Sequence, residues 1–203
     1  NNIRNVSFLN TLLRYFADTI GKLSSLNNIS KFMKSQGLDV SVKSIAAYLN
    51  YFRDAYLLLT VDRFDIHGKK LLESNEKIYF GDVGLRNLIA GGERQGDIEK
   101  ILENIVYQQL VRMGYAVSVG QLRVGEVDFV CTKSNERLYV QVAYLIASEE
   151  TEEREFGSLD NIKDNYPKYV ISMTPLVRRS DRQGVVHLGL REFLKNGFEK
   201  KLP

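Results

Sequence analysis

The sequence predicts a mixed α/β chain that is divided into two small domains. Its 203 residues exceed what one compact domain usually needs, and its 44% hydrophobic content is enough to bury a core. Three helical patterns and a pair of strands occupy the first part, whereas the second part combines helices with a meander of strands. The glycine-rich stretch at residues 90–96 is the best boundary, so we expect domains at residues 1–92 and 93–203.

The first part has the element order of a winged helix-turn-helix. Apolar residues recur at helical spacing in three segments and alternate in two strand-like segments that a short turn joins. The helices are expected at residues 6–20, 26–36 and 42–55, and the strands at 57–66 and 70–80. Ser41 is a good N-cap for the third helix, and Asp82 can cap a further helix that runs to Ile89.

The second part has the order helix, strands, helix, strands, which is typical of an α/β layer arrangement. Helices are expected at residues 98–113, from the Ser148 cap to about Asp164, and at 190–196. Strands are expected at residues 115–119, 126–132, 137–145, 169–173 and 185–188.

Polar residues share one face of two neighbouring strands in this part. Glu126 and Asp128 alternate with apolar residues on one strand, and Gln141 and Ala143 share a face of the next. If residues 133–136 form the turn of a hairpin, the two polar faces coincide. A Glu-x-Asp pair alone is most often a solvated strand edge. Glu103, however, lies at the rim of the buried stripe of the preceding helix, so the three segments together favour a site.

This order resembles the PD-(D/E)XK nuclease superfamily, in which a helix Glu precedes a strand Asp and a strand Glu-x-Lys. The resemblance implies a restriction-endonuclease-like α/β domain with Glu103 as the helix acid, Asp128 as the metal-binding acid, and Gln141 with Ala143 in the Glu-x-Lys positions. Mg²⁺ prefers oxygen ligands, so Glu126, Asp128 and Gln141 are the candidate metal ligands. Ala143 cannot replace the catalytic lysine, which predicts a degenerate site. Arg154, on the helix that follows, is a candidate substitute that would bring a cation into that position.

A longer resemblance covers residues from about 6 to 194. The segments that carry it are Asp82–Asn87, Leu102–Tyr107, Gly125–Val130 and Tyr139–Tyr144. They resemble the C-terminal region of a large prokaryotic group of AAA-superfamily ATP-binding proteins, in which Gln is typical at the position of Gln141. The resemblance implies a P-loop ATPase domain before Asn1 as the partner of this region and as the place where ATP binds. The chain itself has no phosphate-binding loop motif.

The sequence offers features both for and against DNA contact by the first domain. The expected third helix presents Lys43, but Asp54 on the same outward face would repel phosphates. The expected wing offers more cations, namely Arg63, His67, Lys69 and Lys70. These residues can equally be solubilising charges, and winged helices also dock onto proteins.

Composition excludes several other classes of function. One cysteine allows no intrachain disulfide, and two histidines with that cysteine are too few for a zinc site. No apolar run could cross a bilayer, so we expect no membrane partner and a cytoplasmic location. His187 is expected to be a strand residue satisfied by a neighbour, and the glutamates of residues 149–155 a solvated helix face.

Three functions therefore stay open. The leading one is the nucleic-acid or partner-recognition region of an AAA-type ATPase with a degenerate nuclease-like site. The alternatives are an active Mg²⁺-dependent DNA endonuclease and a structural module that docks onto and regulates the ATPase domain.

Overall fold

The chain forms two compact units. A computed structural model describes residues 6–92, 95–175, 180–182 and 184–199. The first unit comprises Asn1–Asp62 and Glu73–Asn104, and the second comprises Arg63–Leu72 and Ile105–Pro203. Helices and a large mixed sheet are present, so the predicted mixed α/β class is confirmed. The boundary between residues 92 and 93 stays a prediction, and Glu93 and Arg94 lie outside the described residues.

The first unit contains helices and a small sheet with the order β1–β3–β2. Its elements are α1 (Val6–Asp18), β1 (Leu23–Ser24), α2 (Leu26–Ser35), α3 (Val42–Asp54), the first part of β2 (Leu58–Asp65), the last part of β3 (Lys70–Phe80), α4 (Val83–Ala90), a 3₁₀ turn (Gln95–Asp97) and the start of α5 (Ile98–Arg112). The sequence did not predict β1, which pairs antiparallel with β3.

Side-chain caps fix where the helices of the first unit begin. Ser41 Oγ accepts the N–H of Ser44 at 3.1 Å, and Asp82 Oδ1 accepts the N–H of Leu85 at 2.7 Å. Each bond satisfies a backbone donor that has no partner within its helix, which stabilises a helix by about 1 kcal/mol. Both caps confirm the sequence prediction.

The second unit is built on a mixed sheet with the order β2–β4–β5–β6–β7–β9–β8. Its further elements are β4 (Ala116–Gln121), β5 (Glu126–Lys133), β6 (Glu136–Ala143), α6 (Glu149–Asp160), β7 (Lys168–Ser172), β8 (Ser180–Arg182), β9 (Val185–Gly189) and α7 (Leu190–Asn196). Strands β4, β5 and β6 are antiparallel neighbours, whereas β6, β7 and β9 run parallel. The hairpin predicted between β5 and β6 is confirmed, with Lys133 paired to Glu136.

The tip of the β2–β3 hairpin is part of the second unit. Arg63 pairs in parallel with Val119 of β4, and the Ile66 N–H donates to the Gln121 carbonyl at 3.1 Å. Ile66 is buried in the same apolar cluster as Leu122. The tip is therefore held by strand pairing and by packing.

Helix α6 ends at Asp160, four residues before the end expected from the sequence. Phe156 and Leu159 pack into the core of the second unit. The chain then turns, and the Asp164 carboxylate accepts a hydrogen bond from the Tyr139 hydroxyl at 2.5 Å. Asp164 is thus held by a side-chain bond outside the helix, which the acidic pattern did not predict. Among the described residues, no helix is both long and apolar enough for a membrane span.

Candidate functional site

The strands β5 and β6 bring Asp128 and Gln141 into contact. The Asp128 N–H donates to Gln141 Oε1 at 3.3 Å, and Asp128 Oδ2 accepts the Val142 N–H at 2.9 Å. Asp128 is buried, so its carboxylate depends on such donors rather than on water. Both side chains thus cross-link the hairpin that carries them.

Helix α6 adds a buried carboxylate to this pair. Gln141 Nε2 donates to Glu155 Oε2 at 3.1 Å, and Arg154 donates from Nε and Nη2 to Glu155 Oε1 at 3.0 and 2.7 Å. Ser158 Oγ also lies 3.5 Å from Gln141 Oε1. We call Asp128, Gln141, Arg154, Glu155 and Ser158 the glutamine network. Both ends of the Gln141 amide are hydrogen-bonded within it.

Two expectations change in this network. Glu155 is 6% exposed, so the interpretation of residues 149–155 as a wholly solvated face is wrong for this residue. Its spacing to Leu159 and Ile162 places it on the core stripe, and that periodicity was the signal available in the sequence. Arg154 directs its cation to the neighbouring Glu155, which is a pairing the sequence did not predict.

The arrangement fits a divalent metal poorly. Glu126 lies half-buried at the start of β5, and the proposed ligand Gln141 is a neutral amide whose oxygen accepts the Asp128 N–H. Across the described parts of the chain, no three His, Cys, Asp or Glu side chains gather as a metal ion would need. Ala143 is buried and carries no group that could act on a substrate. The observed contacts of Asp128, Gln141 and Glu155 are hydrogen bonds and an ion pair within the protein.

Glu103 lies in the first unit, on α5, and is engaged by side chains of β3. Lys77 Nζ is 3.4 Å from Glu103 Oε1, and the Tyr79 hydroxyl donates to Glu103 Oε2 at 3.1 Å. Lys77 and Glu103 are both buried, whereas Lys100, 3.8 Å from the same carboxylate, is partly exposed. We call Lys77, Tyr79, Lys100 and Glu103 the Lys77–Glu103 cluster. The residue proposed as the helix acid thus serves as an ion-pair acceptor.

Gly21 is required beside this carboxylate. Its φ of +67° is in the left-handed region, and a Cβ on it would lie 2.7 Å from Glu103 Oε2. Any side chain here would therefore strain the backbone and displace the Glu103 carboxylate. The helical pattern that ends at residue 20 gave no sign of this contact.

Arg86, in the segment Asp82–Asn87, is a structural residue. Its side chain is fully buried and donates from Nε and Nη2 to the Ala17 carbonyl at 2.9 and 2.6 Å. Arg86 also bonds to Asp97. Ala17 lies in the last turn of α1, where carbonyl groups lack helical donors. The motif that contributes to the whole-chain resemblance therefore anchors a helix end.

The proposed DNA-contacting residues belong to both units. Lys43 is exposed on α3 of the first unit, whereas Arg63, His67, Lys69 and Lys70 belong to the hairpin tip of the second. Arg63 is half-buried and donates to the side chain of Gln121, a partner that the sequence did not indicate.

The turn of the tip is fixed by Asp65. Its Oδ1 accepts the N–H groups of Gly68 and His67 at 2.9 and 3.0 Å, and these bonds lower the pKa of the carboxyl. His67, Lys69 and Lys70 are exposed around this ordered turn. We call these three residues the basic tip.

His187 has the neighbour that the sequence predicted. Its Nε2 lies 2.8 Å from Ser172 Oγ in the second unit, and burial lowers the pKa of the imidazole. Cys131 is buried, and its burial raises the pKa of the thiol. Neither residue is part of the glutamine network.

Comparison with known proteins identifies similar proteins whose descriptions name no activity. Residues 1–96 match a family described as Domain of unknown function (DUF8612). An "Uncharacterized protein" of Haemophilus influenzae is 37% identical over 170 residues, which are 84% of this chain and 42% of that protein. "Uncharacterized protein MJ1544" of Methanocaldococcus jannaschii is 32% identical over 170 residues, 80% of this chain and 36% of that protein. The chain thus spans less than half the length of these curated relatives.

One solved structure is similar over most of the chain. It is described as "Crystal structure of protein VC1899 from Vibrio cholerae", with 14% identity and a TM-score of 0.32 over 95% of this chain and 55% of that one. A likeness at this level is too distant to transfer either a fold or a function.

Proposed function

We propose that the chain is the C-terminal recognition region of an AAA-type ATPase, and that it binds nucleic acid without cleaving it. In this proposal the first unit is a winged helix-turn-helix and the second is a restriction-endonuclease-like domain with a degenerate site. The observation that carries the non-cleaving part of the proposal is the bonding of Gln141 to Glu155 and to the Asp128 N–H, with buried Ala143 in the place of the lysine.

These contacts argue against cleavage on chemical grounds. A metal-dependent nuclease needs oxygens that can bind Mg²⁺ and a cation near the attacked phosphate. Here the Gln141 amide is engaged at both ends, and Arg154 pairs with Glu155. Exposing these groups to a substrate would break at least three partly buried hydrogen bonds. An active endonuclease is therefore the less favoured alternative.

The basic tip supports phosphate contact. His67, Lys69 and Lys70 are exposed, and Asp65 orders the turn from which they project. Helix α3 is a weaker candidate because exposed Asp54 would face phosphates beside Lys43. We therefore assign the main electrostatic contribution to the basic tip.

The ATPase part of the proposal depends on the resemblance and on length. The matched regions are 42% and 36% of two curated relatives, so more than half of each relative lies outside the match. A second candidate function follows from the same observation. The region could act as a docking and regulatory module for the remainder of such a protein, with no nucleic acid involved.

Fluorescence anisotropy with a labelled DNA duplex tests the proposal. Affinity should fall steeply between about 50 and 200 mM salt, because phosphate contacts release counterions. The double variant Lys69→Gln/Lys70→Gln should weaken binding and reduce the slope of log K against log salt by about 2. The matched control Arg191→Gln/Lys195→Gln removes the same charge from α7 and should bind as the wild type does.

Other outcomes separate the alternatives. No binding at low salt, or binding that ignores salt, would favour the docking module. If the wild type cleaves DNA in the presence of Mg²⁺ and Asp128→Ala does not, the chain is an endonuclease. That result would overturn the proposal that it binds nucleic acid without cleaving it.

A further inference from the structure

A cleft of about 820 Å³ lies in the second unit where β7 and β9 end. Ser172 and Gly189 are paired at the carboxyl ends of these parallel strands, and both line the cleft. Ligands of open α/β sheets commonly bind at this edge, in pockets of about 300–1,000 Å³. The position and the size of the cleft are therefore those of a small-molecule site.

The floor of the cleft is a chain of hydrogen-bonding groups that are buried or partly buried. Ser172 Oγ lies 2.8 Å from His187 Nε2 and donates to Thr174 Oγ1 at 2.9 Å, and Thr174 Oγ1 accepts the Ile146 N–H at 2.9 Å. Ser172 is 1% exposed. Burial lowers the pKa of His187, which favours the neutral imidazole, so this part of the floor is polar.

The rim combines cations with apolar surface. Arg191 and Lys195 lie one turn apart on α7 and are exposed, and Glu192 is the carboxylate among the described lining residues. Met173 and Pro175 form an apolar wall. An anionic group and a flat apolar group could therefore bind side by side above hydroxyl groups.

We propose that this cleft binds a nucleoside monophosphate. Arg191 and Lys195 contact the phosphate, Met173 and Pro175 pack on the base, and the partly buried Thr174 hydroxyl faces the sugar. Among the described lining residues, two cations stand against one carboxylate, which fits a monophosphate better than a triphosphate. The proposal is independent of nucleic-acid binding, because neither the glutamine network nor the basic tip lines the cleft.

The histidine pair provides a direct test. The chain has only His67 and His187, so NMR spectra of the ring nitrogens contain two sets of signals. Titration with AMP should shift the His187 signals saturably through Ser172 and leave the His67 signals unchanged. Inorganic phosphate and adenosine, which each carry half of the ligand, should bind more weakly than AMP.

Charge variants complete the test. Arg191→Gln/Lys195→Gln should weaken AMP binding at least about tenfold, since a charge-assisted bond contributes that much. Lys69→Gln/Lys70→Gln is the matched control and should bind AMP as the wild type does. The proposal is overturned if millimolar AMP leaves His187 unshifted, or if both double variants bind AMP with the wild-type affinity.

Discussion

Removing the Glu103 carboxylate should destabilise the first unit strongly. In Glu103→Ala the buried Lys77 ammonium loses an acceptor 3.4 Å away, and the Tyr79 hydroxyl loses one at 3.1 Å. Removing one partner of a buried ion pair costs about 3–5 kcal/mol, because the remaining charge is poorly compensated. Lys100 is partly exposed and adds little. The expected loss is a large part of the stability of a small domain, which is about 5–15 kcal/mol.

Hydrogen exchange measured on peptides is the suitable assay, because two compact units can open separately. Peptides from β3 and α5 should lose protection in Glu103→Ala, and those from β6 and β7 serve as an internal reference. The double variant Lys77→Met/Glu103→Leu should recover most of the loss, since apolar residues can replace a buried pair. Glu99→Ala, on an exposed position of the same helix, should cost less than about 1 kcal/mol. A loss below about 1 kcal/mol in Glu103→Ala would refute the structural role of this carboxylate.

Two further predictions concern the second unit. Ala143→Lys, which restores the lysine of the nuclease pattern, should lower the free energy of unfolding by at least about 2 kcal/mol in urea and yield no DNA cleavage, because position 143 is buried beside Ser172. The unfolding free energy should fall as the pH falls through 6.5, the ordinary pKa of histidine, because the lowered pKa of buried His187 leaves the folded state with fewer bound protons than the unfolded state. His187→Gln should flatten the fall of the unfolding free energy below pH 6.5 and leave its pH dependence above 6.5 unchanged. If the variant has the same pH profile as the wild type, His187 is not the group responsible.

Most elements of the fold could be predicted because patterns of neighbouring residues in the sequence define them. The period of α3 and its Ser41 cap lie within fourteen adjacent residues, and the β5–β6 hairpin with its turn lies within eighteen. Strand β1 could not be predicted, since its two residues are defined only by pairing with β3. The parallel pairing of β2 with β4 could not be predicted from the sequence either, because it joins residues far apart in the chain.

The candidate site was predicted in part for the same reason. Strand alternation was sufficient to place Asp128 beside Gln141. It could not show that Glu103 meets a lysine 26 residues earlier, since a strand lysine is normally exposed. Nor did it show that α6 would bring Glu155 onto Gln141, which depends on how the helix packs on the sheet. Partners from distant elements decide whether a carboxylate binds a ligand or a neighbouring side chain.

The contact between Gln141 and Glu155 opposes the return of an acid at position 141. Gln141→Glu returns the acid of the nuclease pattern, but it would set two carboxylates about 3 Å apart, where Gln141 now donates to Glu155. We expect this variant to lose about 1–3 kcal/mol at neutral pH, through repulsion and a lost hydrogen bond. The exchange Gln141→Glu/Glu155→Gln should recover most of the loss, because amide and carboxylate only change places. The exchange also removes the ion pair between Arg154 and Glu155. Because the Arg154 side chain is largely exposed, this loss should cost little.

A double-mutant cycle measured by urea unfolding gives the coupling between these positions. Effects that add within about 0.5 kcal/mol would mean that the two side chains do not interact, and the glutamine network would then lose its central contact. A coupling of about 1–3 kcal/mol would mean that an acid at position 141 is tolerated only when Glu155 is neutral. In that case the proposed nuclease-like site would have two obstacles to cleavage, namely Ala143 in the place of the lysine and the Glu155 carboxylate beside position 141.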